Sequence, residues 1–132
     1  MRIASDRSDA WIAFEPMPEI GASSFWIAAS LGGREVSYGD IALLRKDAFL
    51  RDLQDAKAAG SGRVTLEGTY DFRLTVRFAA GRPPVVAFYL AECLSPAEPG
   101  ERDFMRLALQ GSFPLSSEHG ERLAGDFRAL LG

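Results

Sequence analysis

The chain has 132 residues, the length of one domain, and its 47% hydrophobic and 25% charged residues are ordinary for a globular protein with a core. A formal net charge of −3 offers no basic stripe for nucleic acid, no run of about eighteen apolar residues could cross a membrane, and a single cysteine excludes an intrachain disulfide and a thiolate metal cluster. We therefore predict one cytoplasmic domain over residues 1–132 that binds neither nucleic acid nor membrane.

The first third of the chain predicts three strands. Residues 1–9 are polar and without period, and we expect them to be flexible. A strand that is apolar on both faces is followed by Gly32-Gly33, which suits a two-residue hairpin turn, and then by a strand that Gly39-Asp40 interrupts, which indicates a bulge. The three strands are predicted over residues 10–14, 23–31 and 34–44.

The hydrophobic period then changes from two to 3.6 residues. Phe49, Leu50 and Leu53 fall at helical spacing, which predicts an amphipathic helix over residues 47–59. Asp47 is the expected N-cap of this helix, and Gly60 stands where a left-handed C-terminal residue is favoured.

Residues 63–78 give the clearest pattern in the chain. Apolar residues alternate with Arg73, Thr75 and Arg77, so these residues predict a hairpin with one buried face and one polar face. Residues 68–71 supply its turn, and we expect the hairpin near the centre of the sheet. The apolar side chains are Val64, Leu66, Phe72, Leu74, Val76 and Phe78.

The last third predicts two further strands and a helix. The strands lie over residues 85–94 and 104–113, and a polar loop over residues 95–103 joins them. Ser116 or Ser117 is the expected cap of a closing helix with Leu123, Phe127, Leu130 and Leu131 as its apolar stripe. The element order is βββαββββα, which predicts an α+β, two-layer sandwich with an antiparallel sheet of six to seven strands and both helices on one face.

Few residues have the pattern of a catalytic or metal-binding site. His119 is the only histidine and lies at the expected start of the last helix, where an exposed polar residue is common. Cys93 lies in an apolar strand without an activating base, and Glu67 and Asp71 flank a turn, as solvated carboxylates do. We expect no catalytic residue, no metal ion and no cofactor.

The sheet face that the helices leave uncovered is the candidate binding surface. Its arginines, Arg73, Arg77 and Arg106, form either a solvated face or an anion-binding face. Glu92 needs solvent or an arginine partner, because an unpaired buried carboxylate is costly. The candidate ligand-binding residues are Trp26, Tyr38, Arg73, Arg77 and Glu92, and Trp11, Tyr70 and Tyr89 are further aromatic candidates for this face.

Five stretches of the chain follow a pattern that is known from one protein family. They are FWIAASL (25–31), DAFLRDL (47–53), GRVTLEG (62–68), FRLTV (72–76) and FRALL (127–131). The pattern covers roughly residues 24–131 and resembles the small bacterial proteins of the WapI-type immunity family and their uncharacterised relatives. GRPPVVAFYL and QGSFPLSSEHG depart from it, where relatives tend to have a glycine-flanked strand and an acidic-Gln-Thr/Ser step.

The resemblance implies a non-enzymatic protein that binds one cognate toxin, often through an acidic surface that opposes a basic nuclease. Our first hypothesis is therefore a cytoplasmic binding domain of the immunity type. One alternative is a small-ligand-binding or enzymatic domain that uses the open sheet face, and another is a homodimer formed through an edge strand or that face. A flat acidic or aromatic patch would favour the first hypothesis, and a concave polar pocket would favour the second.

Overall fold

A computed structural model describes residues 1–7, 9–94 and 105–132, without the side chains of residues 93, 94, 105 and 106. The predicted loop over residues 95–103, and the side chains of Cys93 and Arg106, lie outside this part. The described residues form eight strands and two helices. In chain order these are β1 (Arg2–Ala4), β2 (Ala10–Pro16), β3 (Ser24–Leu31), β4 (Arg34–Leu44), α1 (Lys46–Ala59), β5 (Gly62–Gly68), β6 (Arg73–Phe78), β7 (Val85–Leu94), β8 (Met105–Pro114) and α2 (Ser117–Leu131).

The strands form one antiparallel sheet whose spatial order is the same as their order in the chain. Gly32 and Gly33 both have positive φ, as the two-residue turn between β3 and β4 requires. The hairpin of β5 and β6 occupies the fifth and sixth positions, close to the centre as predicted. The α+β class and the antiparallel sheet are therefore confirmed.

Strand β4 divides the sheet into two halves. Its first part pairs with β3, and only Leu43 and Leu44 at its end pair with β5. The register shifts by one residue at Gly39-Asp40, where Asp40 has a φ of 58°, so the predicted bulge is present. The two halves curve towards each other so closely that a Cβ at Gly111 of β8 would overlap the Leu31 side chain of β3.

Both helices pack on the inner side of this curved sheet, into the same core. Four phenylalanine rings from β2, α1, α2 and the turn before β6 meet edge to face, with centroid distances of 5.0–6.0 Å. Aromatic pairs in this geometry contribute about 0.5–1.5 kcal/mol beyond the area that they bury. The rings belong to Phe14, Phe49, Phe72 and Phe127.

The prediction of six to seven strands in the order βββαββββα was wrong by one strand. Residues 2–4 form β1, with Ile3 fully buried against β2. The Met1 ammonium donates a hydrogen bond to the Phe14 carbonyl at 2.9 Å, and the Ser116 N–H donates one to the Ala4 carbonyl at 3.0 Å. A stretch as short as Ile3 and Ala4 has no hydrophobic period, so these long-range contacts define the strand.

The predicted helix caps were partly correct. Gly60 ends α1 with a φ of 69°, and Ser116 caps α2 by accepting the His119 N–H on its hydroxyl. Asp47 does not cap α1, which begins one residue earlier. Arg45 takes the N-cap position with a φ of 51° and makes no side-chain capping hydrogen bond. The first residue of α1 is set by the end of β4, because only Arg45 lies between the strand and the helix and the chain must turn there.

Candidate functional site

The five predicted site residues lie in three separate places. Trp26 is on the outer side of the first half of the sheet, and Arg73 and Arg77 are on the outer side of the second half. Tyr38 and Glu92 lie on the inner side of their strands. The structure therefore does not bring these five residues together on one open face, as the sequence had suggested.

Trp26 is the centre of an exposed apolar surface. Trp26 is 39% exposed, and its Cδ1 would lie 3.5 Å from a Cβ placed at Gly39 of β4. The Met17 sulfur would lie 3.7 Å from the same point, so the absence of a side chain at Gly39 leaves space beside Trp26 and Met17. Ile20, in the connection that Met17 begins, is 49% exposed.

Backbone hydrogen bonds hold this connection between β2 and β3 in a folded conformation. The Met17 N–H donates to Ser24 at 2.9 Å, and the N–H groups of Ile20 and Gly21 both donate to the Met17 carbonyl. The Asp40 N–H approaches the Met17 sulfur at 3.5 Å, which joins the connection to the bulge of β4. The apolar side chains around Trp26 therefore stand on an ordered backbone.

Acidic residues border this apolar surface. Glu15 stands directly opposite Trp26 in the β2–β3 ladder, Asp40 follows Gly39, and Glu19 lies in the connection itself. All three are exposed, and within the described part of the chain none forms an ion pair. We call this surface the acidic-aromatic face; its residues are Glu15, Met17, Glu19, Ile20, Trp26 and Asp40.

The acidity extends along the sequence. Residues 8–44 contain one basic residue, Arg34, which lies at the far hairpin of β3 and β4. They contain five acidic residues, which are Asp9, Glu15, Glu19, Glu35 and Asp40. The net charge of −3 conceals this segregation. The bias was visible in the sequence, and it is the signal that could have identified Glu15 and Glu19 as candidate site residues.

The same outer surface continues towards β1 over small side chains. Ala13 pairs with Ala28, Trp11 pairs with Ser30, and the Arg2 guanidinium lies 3.9 Å from the centre of the Trp11 ring. Cation-π contacts of this kind contribute about 0.5–1 kcal/mol at exposed sites. Trp11 and Trp26 therefore lie on the same outer surface, with small alanine and serine side chains between them.

Arg73 and Arg77 lie on the outer side of β6, as the alternation predicted. Arg63 of β5 is directly opposite Arg77, and Glu67 of β5 is directly opposite Arg73. Glu67 is engaged elsewhere, because Arg45 contacts its Oε2 at 2.5 Å. Tyr89 joins the row of Arg73 on β7, so of the further aromatic candidates it is the one that shares this face.

Tyr38 and Glu92 lie on the inner side of the sheet, unlike Trp26, Arg73 and Arg77. Tyr38 follows Val36 on the inner side of β4, and its ring meets Tyr70 edge to face at 4.9 Å. Glu92 stands on the side of β7 that carries Phe88 and Leu90, opposite Leu107. Because the residues of a strand alternate between its two sides, Glu92 cannot point to the same side as Arg73 and Arg77.

His119 lies in the first turn of α2 and contacts Ser116, the residue that caps the helix. Its Nδ1 lies 2.9 Å from the Ser116 hydroxyl, and its backbone N–H donates to the same oxygen at 3.2 Å. These contacts satisfy two groups at the first turn of α2, where N–H groups otherwise lack partners.

A cavity lies at the end of the sheet opposite Trp26. It has a volume of about 620 Å³, between the β1–β2 turn and the ends of β3 and β8. Leu31, Phe113 and Leu115 form its apolar part, and Asp6, Arg7 and Asp9 lie at its rim. The turn binds its own polar groups, because the Ser5 hydroxyl donates to the Arg7 carbonyl at 2.7 Å.

No protein-family model, curated protein or solved structure matches the chain. Neither helix of the described structure is long and apolar enough to span a bilayer.

Proposed function

We propose that the protein is a non-enzymatic binding domain that holds a basic protein partner on its acidic-aromatic face, in the manner of an immunity protein that neutralises a toxin. The observation that carries this proposal is an exposed tryptophan, Trp26, beside carboxylates that form no ion pair with any residue the structure describes. Trp26 supplies the apolar anchor, and Glu15, Glu19 and Asp40 supply the charge.

The residue types match those of protein interfaces. Tryptophan and methionine are enriched at interface centres, and a few such residues carry most of the binding energy. Trp26 and Met17 stand at the centre of the face, with acidic residues around them. This arrangement of an apolar centre and a polar rim is typical of a surface that another protein covers.

The charge of the face indicates the charge of its partner. The acidic residues of the face have no basic partner within the described residues, so a basic surface would gain attraction to all three carboxylates. Complementary charge accelerates association and discriminates against wrong partners more than it adds affinity. A basic enzyme, such as a nuclease toxin, has the required chemistry.

The resemblance to WapI-type immunity proteins supports the toxin-neutralising part of the proposal. The stretches that carry it occupy β3, the first half of α1, β5, the beginning of β6 and the end of α2. Of these stretches, only FWIAASL contributes to the acidic-aromatic face, through Trp26. The specificity of the interaction therefore comes from residues outside the pattern, above all the connection that contains Met17 and Glu19.

Affinity capture with variant proteins tests the proposal. Tagged wild-type protein is expected to retain one basic protein, and Trp26→Ala is expected to weaken its binding at least about thirtyfold, the effect of a hot-spot residue. Leu44→Ala is the matched control, because Leu44 is a comparably exposed apolar residue outside the face. Glu15→Lys should also abolish capture, whereas Asp55→Lys on helix α1 should not.

The function of the captured protein completes the test. Expressed alone, it should arrest growth of its host, and co-expression of the wild-type domain, but not of Trp26→Ala, should restore growth. If Trp26→Ala and Glu15→Lys still capture the partner as well as the wild type does, the proposed face is refuted. Capture through this face of a harmless partner would refute the immunity role.

A further inference from the structure

The outer side of β5–β8 has a regular arrangement that the proposed function does not use. Each strand contributes one residue to each of three parallel rows, which the ladders define. The middle row has small side chains, and each of the two rows beside it contains arginine. The rows are Arg63, Arg77, Val85 and Pro114; Thr65, Thr75, Ala87 and Ser112; and Glu67, Arg73, Tyr89 and Gln110. We call this surface the arginine face.

The positive charge of the arginine face is not compensated. Arg63 and Arg77 are directly opposite each other, and like charges at such positions destabilise a sheet. Within the residues that the structure describes, Arg63, Arg73 and Arg77 form no ion pair and no side-chain hydrogen bond. The carboxylate of Glu67 contacts Arg45. A bound anion would reduce the repulsion between the arginines.

A depression in this face gathers the groups that bind oxyanions. It has a volume of about 290 Å³, and Ala87 lines it, with Thr75 and Ser112 on either side in the same row. Arg73 and Gln110 line it from the neighbouring row. A depression of this volume has room for a phosphate group and a small attached moiety.

We propose that this depression binds a phosphate-bearing small molecule. Arg73 is the principal ligand, since a guanidinium donates two parallel hydrogen bonds to a phosphate. The Thr75 hydroxyl lies 3.2 Å from the Thr65 hydroxyl and donates to the ligand while it accepts from Thr65. The Ser112 hydroxyl and the Gln110 amide supply further neutral donors, and Arg77 and Arg63 add longer-range attraction. This ligand site is separate from the acidic-aromatic face, and neither proposal depends on the other.

Titration followed by two-dimensional NMR tests the site. Pyrophosphate and inorganic phosphate are added at constant ionic strength, with sodium chloride as the reference. We expect saturable shifts in the amide signals of residues 73–77, 85–89 and 110–112. Arg73→Gln should weaken binding at least about tenfold, as expected for the loss of a charged hydrogen-bond pair. Thr75→Val should weaken it less.

Arg34→Gln is the matched control, because it removes the same charge from an exposed residue outside the arginine face. It should leave the affinity within about twofold, and so should Trp26→Ala. Equal losses in Arg34→Gln and Arg73→Gln would overturn the proposal by showing a response to net charge alone. Shifts that do not saturate, or that an acidic peptide produces at lower concentration than pyrophosphate, would also overturn it.

Discussion

Arg73 and Leu74 are neighbours in β6, yet their surroundings are opposite. Leu74 is fully buried between Leu66 and Phe88 in the ladder, while the Arg73 side chain is exposed on the outer side. This difference follows from the two-residue period of a strand and from the register of the β5–β6 hairpin.

The register predicts how far two alanine substitutions should differ in cost. Leu74→Ala should lower the free energy of unfolding by about 2–5 kcal/mol, because it leaves a cavity in the core. Arg73→Ala should lower it by less than about 1 kcal/mol, because it removes an exposed side chain. Chemical denaturation measures both values, and the reverse order would show that the assigned register is wrong.

Residue-level patterns in the sequence were sufficient for β6 but not for β7. Arg73, Thr75 and Arg77 mark the outer side of β6, whereas the run VVAFYLAECL is apolar on both sides and gives no indication of which side is inner. The side of Glu92 was therefore not predictable. The sequence also contained no indication that Trp26 and Tyr38 lie on opposite sides of the sheet. Tyr38 pairs with Ile27 and is therefore on the inner side, whereas Trp26, the neighbour of Ile27, is on the outer side.

At the scale of elements, α2 depends on its first turn. Ser116 accepts the His119 N–H and contacts the His119 ring, and its own N–H donates to Ala4 of β1. The cap therefore joins the start of the helix to the first strand of the sheet.

Loss of this cap has a predictable cost. Ser116→Ala should destabilise the protein by about 1 kcal/mol, because it leaves an N–H of the first helical turn without its partner. Ser117→Ala, one position later and exposed, is the control and should change stability by less than about 0.5 kcal/mol. Thermal denaturation of both variants distinguishes them, and equal effects would contradict a capping role that is specific to Ser116.

Element boundaries were the least predictable part of the fold. Strand β1 has a single buried residue, Ile3, and it is hydrogen-bonded to β2 and, through the Ala4 carbonyl, to Ser116. A strand that tertiary contacts define in this way leaves no period in the sequence. Arg45 is similar, because its left-handed conformation follows from the junction of β4 and α1 and not from its side chain.

At the scale of the molecule, the curvature of the sheet requires a glycine at position 111, where β8 comes close to β3. A side chain at Gly111 would meet Leu31, whose position closes the inner side between the two halves of the sheet. The Leu31 side chain can move part of the way, so the cost of a methyl group there is that of overpacking.

Two glycine substitutions test this description. Gly111→Ala should lower the free energy of unfolding by about 1–3 kcal/mol. Gly125→Ala, on an open position of α2, should raise it by about 0.5–1 kcal/mol, because alanine favours a helix and nothing lies within reach of its Cβ. If urea denaturation found Gly111→Ala harmless, the two halves of the sheet would not be in contact there.

The molecule also separates its charges. Carboxylates lie beside Trp26 on the first half of the sheet, and the outer side of the second half carries three arginines that form no ion pair with the residues described. Exposed charges of one sign on a folded surface repel one another, so both faces gain from a partner of the opposite sign. The fold thereby carries two candidate binding surfaces of different chemistry.

The most direct measurement is photo-crosslinking in cells from position 20, in the β2–β3 connection of the acidic-aromatic face, with a photoreactive phenylalanine in place of Ile20. The same residue at position 44 is the control, because Ile20 and Leu44 have similar exposure. We predict that position 20 crosslinks one basic protein, that position 44 does not, and that Glu15→Lys abolishes the crosslink. Absence of a specific crosslink at position 20, or the same products from both positions, would contradict the proposed partner-binding role.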